Sequence, residues 1–278
     1  MRGPGSVVAV WNIGDSKDRT AEQDEIHVRR ATSFGAEAAA YAEHRPDYPA
    51  AGIRWALAPL GGKESPVVLD LGAGTGKLTQ GLIAAGAQVI AVEPDDGMRA
   101  ELVRRFPGVK AIDGAAEAIP LPDGSVDAVV AGQALHWFDL PRAFPEIARV
   151  LRADGVLAAF WNIEDDRVEW VAGLKQVSRS GASLPPPDKN SALPAHALFT
   201  DFEQSDFAHA HRRTAESLTA TIGTYSHTVV IPGAQRAALL DRIRAYLHSR
   251  PETADGEFDV PIRTKTIRAV KRAADSDL

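Results

Sequence analysis

The stretch Val67-Val68-Leu69-Asp70-Leu71-Gly72-Ala73-Gly74-Thr75-Gly76-Lys77-Leu78 governs how the rest of the chain is read. It opens as a short apolar run with a β-branched start, which suits a buried strand. Alternating glycines interrupt it, and helical spacing resumes at Leu78, Leu82 and Ile83 until Gly86. A strand that feeds a helix through such glycines brings backbone close to a ligand, because glycine has no Cβ in the way and tolerates φ > 0. The helix then offers unpaired N–H groups and the positive end of its dipole to that ligand.

The spacing bears on which ligand. A dinucleotide site is written G-x-G-x-x-G. Here the glycines run G-x-G-x-G, and Lys77 stands where the third dinucleotide glycine would be. Asp70, two residues before the first glycine, would repel a pair of phosphates and makes better sense near a cationic ligand. The next predicted strand, Gln88 to Val92, runs into Glu93. A carboxylate at that strand tip can accept hydrogen bonds from both hydroxyls of a ribose.

Outward from this centre, alternation of strands and helices continues. Asp95 or Asp96 can cap a helix carrying Met98, Leu102, Val103 and Phe106, which Pro107-Gly108 stops. Val109 to Ile112 is the third strand and Val126 to Ala131 the fourth, after the turn Pro122-Asp123-Gly124-Ser125. Asp139 and Pro141 open a helix with the face Phe144, Ile147, Val150 and Leu151; Asp154-Gly155 is expected to end it before a fifth strand, Val156 to Trp161. Such βαβ units mean a parallel sheet, with ligands beyond the carboxyl ends of the strands. Upstream, Gly35 to Tyr41 is a good helix former that ends before Arg45-Pro46-Asp47-Tyr48-Pro49, and Ala50 to Leu60 is a second helix that Gly61-Gly62 stops. Residues 1–33 read as a poorly ordered N-terminal extension.

Beyond Asn162 the pattern loosens. Val168, Val171, Leu174 and Val177 mark a helix, followed by a loop at Pro185-Pro186-Pro187. Phe199, Phe202 and Phe207 flank a sixth strand, Leu239, Leu240, Ile243 and Leu247 mark a late helix, and Phe258, Val260 and Ile262 alternate as a last strand. His209 to Pro232 has no clear period.

Composition narrows the class. The 278 residues are 45% hydrophobic and 24% charged, an ordinary globular balance that suits one large α/β domain with additions. A net charge of −6 argues against nucleic-acid binding, which needs a basic footprint. The absence of cysteine removes disulfides, thiolate metal sites and a cysteine nucleophile; no HExxH-type pattern calls for a metal, and no apolar run reaches membrane-span length. The expectation is a cytoplasmic monomer or homodimer.

Asp70-x-Gly72-x-Gly74-x-Gly76 followed by Glu93-Pro94 resembles the first two motifs of class I S-adenosylmethionine-dependent methyltransferases. The resemblance is closest to the small-molecule branch that holds ubiquinone/menaquinone and trans-aconitate methyltransferases, the methyltransferase type 11 group. It continues through Gly114 to Asp127, through Gln133-Ala134-Leu135-His136-Trp137-Phe138, and through Glu146 to Gly155, covering roughly residues 34–162. The fold it implies is α/β, a Rossmann-like three-layer sandwich with a mostly parallel seven-stranded sheet, an antiparallel last strand and an inserted helical cap. Residues 34–278 would form the methyltransferase domain, with 34–60 as lid, 61–162 as cofactor-binding core and 163–278 as the substrate-covering region.

The resemblance also implies roles. S-adenosylmethionine would meet the loop Gly72-Ala73-Gly74 and Gly76, Asp70 would orient its ammonium group, and Glu93 would bind its ribose. Pro94 and Met98 would sandwich the adenine, and the backbone of Ala115 and Ala116 would meet its edge. Many relatives carry an aspartate where Ala115 stands, with Glu117 as the substitute here. Gln133 would sit by the methionine end. Tyr41, Arg45 and Tyr48 would form a lid over cofactor and acceptor, and Trp137 and Tyr225 would join the acceptor site. His136 is the acid/base candidate, since it follows the fourth strand and its ordinary pKa suits proton removal near neutrality. His209, His211 and His227 are further pocket candidates. The expected activity is in-line methyl transfer to an O or C atom of a small-molecule acceptor. The rival readings are an NAD(P)-dependent oxidoreductase and a non-catalytic protein that binds S-adenosylmethionine; methylation of a macromolecule fits poorly with the acidic charge balance.

Overall fold

The structure is a computed structural model that describes residues 38–183, 193 and 195–273. The expected N-terminal extension, the first residues of the Gly35 helix and the Pro185 loop lie outside the described residues. Two helices lead in: α1 (Ala38–His44) and α2 (Ala50–Leu57), the second closing in a 3₁₀ turn over Ala58–Leu60 that stops at Gly61 with φ 65°. The core then alternates as β1 (Val67–Leu71), α3 (Lys77–Ala84), β2 (Gln88–Val92), α4 (Asp96–Arg105), β3 (Lys110–Ile112), β4 (Val126–Gly132), α5 (Leu140–Val150) and β5 (Leu151–Glu164). After it come α6 (Glu169–Val177), β6 (Glu203–Arg213), α7 (Ala215–Gly223), α8 (Ser226–Val229), α9 (Gly233–His248) and β7 (Phe258–Val270).

The strands form one seven-stranded sheet in the order β3-β2-β1-β4-β5-β7-β6. The first five positions pair in parallel, and β7 runs antiparallel to both β5 and β6. Successive strand residues point to opposite faces, and both faces of the central strands are covered. Leu69, Val129 and Leu157 pack with Phe144 and Ile147 of α5 on one side. Val68, Val130 and Ala158 pack with Ile53 of α2 and Leu78 and Leu82 of α3 on the other. Coverage on both faces is why these strands read as continuous apolar runs. A third cluster, with Trp170, Leu174, Leu218, Ile222, Ile243 and Val260, seats the cap helices α6, α7 and α9 on β7. Among the described residues no helix is long and apolar enough to cross a membrane.

Two expectations are corrected. The α5 helix stops at Val150, and Leu151 is already strand, paired with Val126. Asp154-Gly155 does not end a helix: Asp154 takes φ 58° inside β5, where the register slips between Val126 and Ala128, as a bulge requires. Gly155 suits that bulge because a Cβ there would lie 2.9 Å from the Arg152 carbonyl oxygen. The unpatterned stretch from His209 is in fact the second half of β6 followed by α7 and α8. In β6, Phe207, His209, His211 and Arg213 are the half-buried positions and Ala208, Ala210 and Arg212 the exposed ones, so this edge strand lacks an apolar alternation.

Candidate functional site

Beyond β1 the chain turns through Gly72, Gly74 and Gly76 at φ 68°, 56° and 83°, the region that favours glycine. A Cβ at Gly72 would lie 2.8 Å from that of Ala134 in the β4 exit loop, and one at Gly76 would lie 2.7 Å from the Phe106 ring, while one at Gly74 would meet nothing within 4 Å. The outer two glycines therefore let the loop pack, and the middle one borders open space. Gly72 and the buried Ala73 donate their N–H groups to the Val92 carbonyl at 2.8 and 3.2 Å. Gly74 donates to Glu93 Oε2 at 2.8 Å, and Asp95 donates to Oε1 at 3.0 Å. The Glu93 carboxylate is thus fixed by backbone, with lone pairs left on both oxygens. Burial raises its pKa against the lowering effect of those two hydrogen bonds.

Asp70 is fully buried. Its Oδ2 accepts the Thr79 hydroxyl at 2.6 Å, and its Oδ1 has no hydrogen-bond partner among the described residues. Burial pushes its pKa up to about 7, the Thr79 hydroxyl opposes this, and the charge of Glu93 adds to it. Thr75 Oγ1 in the glycine loop is a second buried oxygen without a hydrogen-bond partner among the described residues. These are the marks of a site built for a ligand that brings hydrogen-bond donors: an orphaned carboxylate oxygen suits an ammonium group, and a backbone-held carboxylate with spare lone pairs suits a ribose diol. The residues present fit S-adenosylmethionine.

Asp95 caps α4 by accepting the Met98 N–H at 2.9 Å, which places Met98 in a buried position beside the exposed Pro94. Ala115 is exposed and its carbonyl accepts the Ala118 N–H at 3.2 Å, whereas the Ala116 methyl sits in the main core. Glu117 Oε1 accepts the Asp139 N–H at 2.7 Å at the start of α5.

A second region adjoins the carboxyl ends of β4 and β5. It is a cavity of about 340 Å³, lined by Tyr41, Arg45, Tyr48, Gln133, His136 and Trp137, and by Tyr225 and His227 from the cap side. The structure therefore gathers the sequence-predicted lid, acceptor and acid/base residues around one space. The glycine loop, Glu93, Met98 and Ala115 to Glu117 do not line it, and neither do His209 and His211. Burial, with the neighbouring Arg213 and Lys77 adding to it, brings the His211 pKa down to about 4.

The segment from Tyr41 to Tyr48 is tied down from several directions. The Arg45 guanidinium lies 4.8 Å from the Tyr41 ring centre and 4.3 Å from that of Tyr225, while Nε and Nη2 donate to Thr224 Oγ1 and O at 3.1 and 3.0 Å. Tyr48 packs edge-on against Phe160 at 5.7 Å, and its hydroxyl lies 2.8 Å from where a Cβ at Gly132 would be. Burial raises the Tyr48 pKa well above its ordinary value, with Tyr41 and Asp70 adding to the effect. Lys77 Nζ bonds Asp47 Oδ1 at 3.1 Å, joining the first turn of α3 to that segment.

Among the cavity residues that sequence reasoning passed over, three stand together at the end of β5: Trp161, Asn162 and Glu164. Asn162 Nδ2 donates to the Pro46 and Asp47 carbonyls at 3.3 and 3.1 Å, and Gln133, held at φ 55°, donates its Nε2 to the Asn162 carbonyl at 3.0 Å. Trp161 Nε1 donates to His136 Nδ1 at 3.3 Å. Glu164 accepts the Tyr225 hydroxyl. The available signal was their place at the carboxyl end of a central parallel strand, where polar residues break an apolar run.

The methyltransferase domain family model matches residues 69–159. An uncharacterised methyltransferase of Mycobacterium tuberculosis is 39% identical over 238 residues, which span 85% of this chain and 95% of that protein. An uncharacterised methyltransferase of Schizosaccharomyces pombe is 35% identical, across 82% of this chain and 93% of its own. Among solved structures, one described as a type II methyltransferase from Anaeromyxobacter dehalogenans superposes with a TM-score of 0.55 at 27% identity, covering 82% of this chain and 96% of that one. With its loop, its strand-tip acid and its sheet order in place, the chain belongs to the S-adenosylmethionine-dependent methyltransferase family and carries the class I fold.

Proposed function

We propose that the protein methylates an O or C atom of a small-molecule acceptor held in the cavity at the ends of β4 and β5. The observation that carries this reading is the cavity itself. At about 340 Å³ it suits a small molecule, and its aromatic and aliphatic lining suits one with an apolar body. S-adenosylmethionine supplies an activated methyl group on a sulfonium. The chain's work is to bind, orient and exclude water. Asp70 and Glu93 take the cofactor's amino and ribose groups, Gly72 and Gly74 allow backbone approach, and Gln133 stands between the two regions. Pro94, Met98 and the backbone at Ala115 and Ala116 border the adenine. Tyr41, Arg45, Tyr48 and Tyr225 close the acceptor space.

Of the two imidazoles lining that space, His227 belongs to the cap and His136 is the one at the end of β4. An indole N–H can only donate, so with Trp161 bonded to Nδ1 the neutral ring carries its proton on Nε2. Proton removal through Nδ1 requires that indole contact to open. The test is calorimetry with S-adenosylmethionine, S-adenosylhomocysteine and NADH, followed by transfer of labelled methyl to acceptor panels. Micromolar binding of the first two, none of NADH, and label in a small molecule support the reading. Label only in protein or nucleic acid would sink it.

A further inference from the structure

Glu164 is the one acid among the described residues lining the cavity. It sits at the last position of β5, paired with Ile262 of β7, two residues beyond Asn162 and on the same side of the strand. The Asn162 side chain is spent on the lid carbonyls and on the Thr264 hydroxyl. Glu164 has a single side-chain partner among the described residues. Tyr225 donates its O–H to Oε1, and among the described residues no ion pair neutralises the carboxylate. A carboxylate offers about four acceptor positions, so one tyrosine leaves it under-satisfied beside an apolar wall of Val171, Leu174, Ile222 and Ile262.

We propose that Glu164, held by Tyr225, is the anchor that selects the methyl acceptor, and that it takes an acceptor presenting a hydroxyl group on an apolar body. The inference rests on the methyltransferase reading of this cavity. Charge decides among head groups. At Glu164 a carboxylate head would meet that charge and an ammonium head the Arg45 guanidinium stacked 4.3 Å over the Tyr225 ring, while the other lining cations are Lys77 and Lys175, already paired with Asp47 and Asp166, and the exposed Arg179. A neutral hydroxyl donates to Glu164 without either conflict. Burial and the neighbouring Glu164 charge both hold the Tyr225 phenol well above its ordinary pKa, so it stays the donor of the pair.

The test loads the protein with S-adenosylhomocysteine and follows quenching of the cavity tryptophans by para-butylphenol, its methyl ether para-butylanisole and para-butylbenzoate. The phenol is expected to bind at least about tenfold more tightly than the ether or the benzoate, the scale of one hydrogen bond to a charged group. Glu164→Leu is expected to bring the phenol-to-ether ratio to about one while S-adenosylhomocysteine affinity holds. Should Glu164→Leu fail to fold, Glu164→Gln keeps the shape and is expected to lower the ratio several-fold. A wild type that prefers the benzoate or ether, or fails to bind the phenol, would overturn the assignment, as would an unchanged ratio in a folded Glu164 variant. Failure of the wild type to bind S-adenosylhomocysteine would instead remove the methyltransferase reading, and the anchor with it.

Discussion

Glu93 Oε2 accepts the Gly74 N–H at 2.8 Å, so the acid at the tip of β2 and the middle glycine of the β1 loop hold each other in place. Replacing Glu93 by alanine removes the two proposed ribose acceptors and the brace on the loop together. At roughly 1.5–3 kcal/mol for each hydrogen bond to a charged group, Glu93→Ala is expected to weaken S-adenosylhomocysteine binding by about a hundredfold or more. Calorimetry that returned wild-type affinity would reject the ribose assignment.

Asp70 gives the site a pH signature. Its pKa stands at about 7 in the fold against an ordinary 3.8, so the folded state holds the proton more tightly than the unfolded chain does. The stabilising effect of that proton is complete below the unfolded value and is lost as pH rises through about 7. A cationic ligand group beside Oδ1 favours the ionised form. Binding of S-adenosylhomocysteine at pH 6 should therefore release a proton, and Asp70→Asn should abolish the release and flatten the affinity across neutrality. Titrations in buffers of differing ionisation enthalpy measure this directly; identical heats of proton release in the variant would refute it.

Two glycines separate backbone strain from crowding. Gly62 has φ 75° and open space around it, whereas Gly72 has φ 68° and the Ala134 methyl 2.8 Å from where its own Cβ would lie. Gly62→Ala should cost about 1 kcal/mol in urea unfolding, the left-handed penalty alone. Gly72→Ala should cost roughly 1–3 kcal/mol more from overpacking and also weaken cofactor binding. Equal losses at the two positions would show that Ala134 yields without cost.

Arg45 joins the proposed lid to the cap with a planar group that stacks on two rings and donates twice to Thr224. An ammonium cannot reproduce that geometry. Arg45→Lys is expected to speed amide exchange over residues 38–48 and to raise the acceptor KM several-fold, with kcat at saturation and cofactor affinity little changed. Unaltered exchange in that segment would argue against the brace.

Much of this was legible because the parallel core is locally consistent. Apolar run, glycine loop and helix follow one another within a single βα unit, so Asp70, Gly72 and Glu93 could be placed from short-range pattern alone. The bulge at Asp154-Gly155 was not legible, since an Asp-Gly pair after a helical face signals a helix stop as readily as a strand irregularity. In β6 the signal was absent for a different reason: its half-buried side carries His209, His211 and Arg213, which lie near Asp47 and Lys77 rather than in an apolar core. Glu164 escaped notice because its significance comes from Tyr225, 61 residues away.

The position of β7 has a bearing on how the molecule is made. It is the last strand of the sheet in sequence, yet it lies between β5 and β6, and among the described residues β6 has no other sheet neighbour. A nascent chain that ends before Phe258 can pair β1 to β5, while β6 and the helices that follow it have no strand to dock on. Ile262, which lines the proposed acceptor cavity, arrives with that same strand. On the ribosome, the cofactor loop is therefore expected to take shape well before the acceptor cavity does, and protection of Glu164 from exchange should appear only after synthesis has passed residue 270.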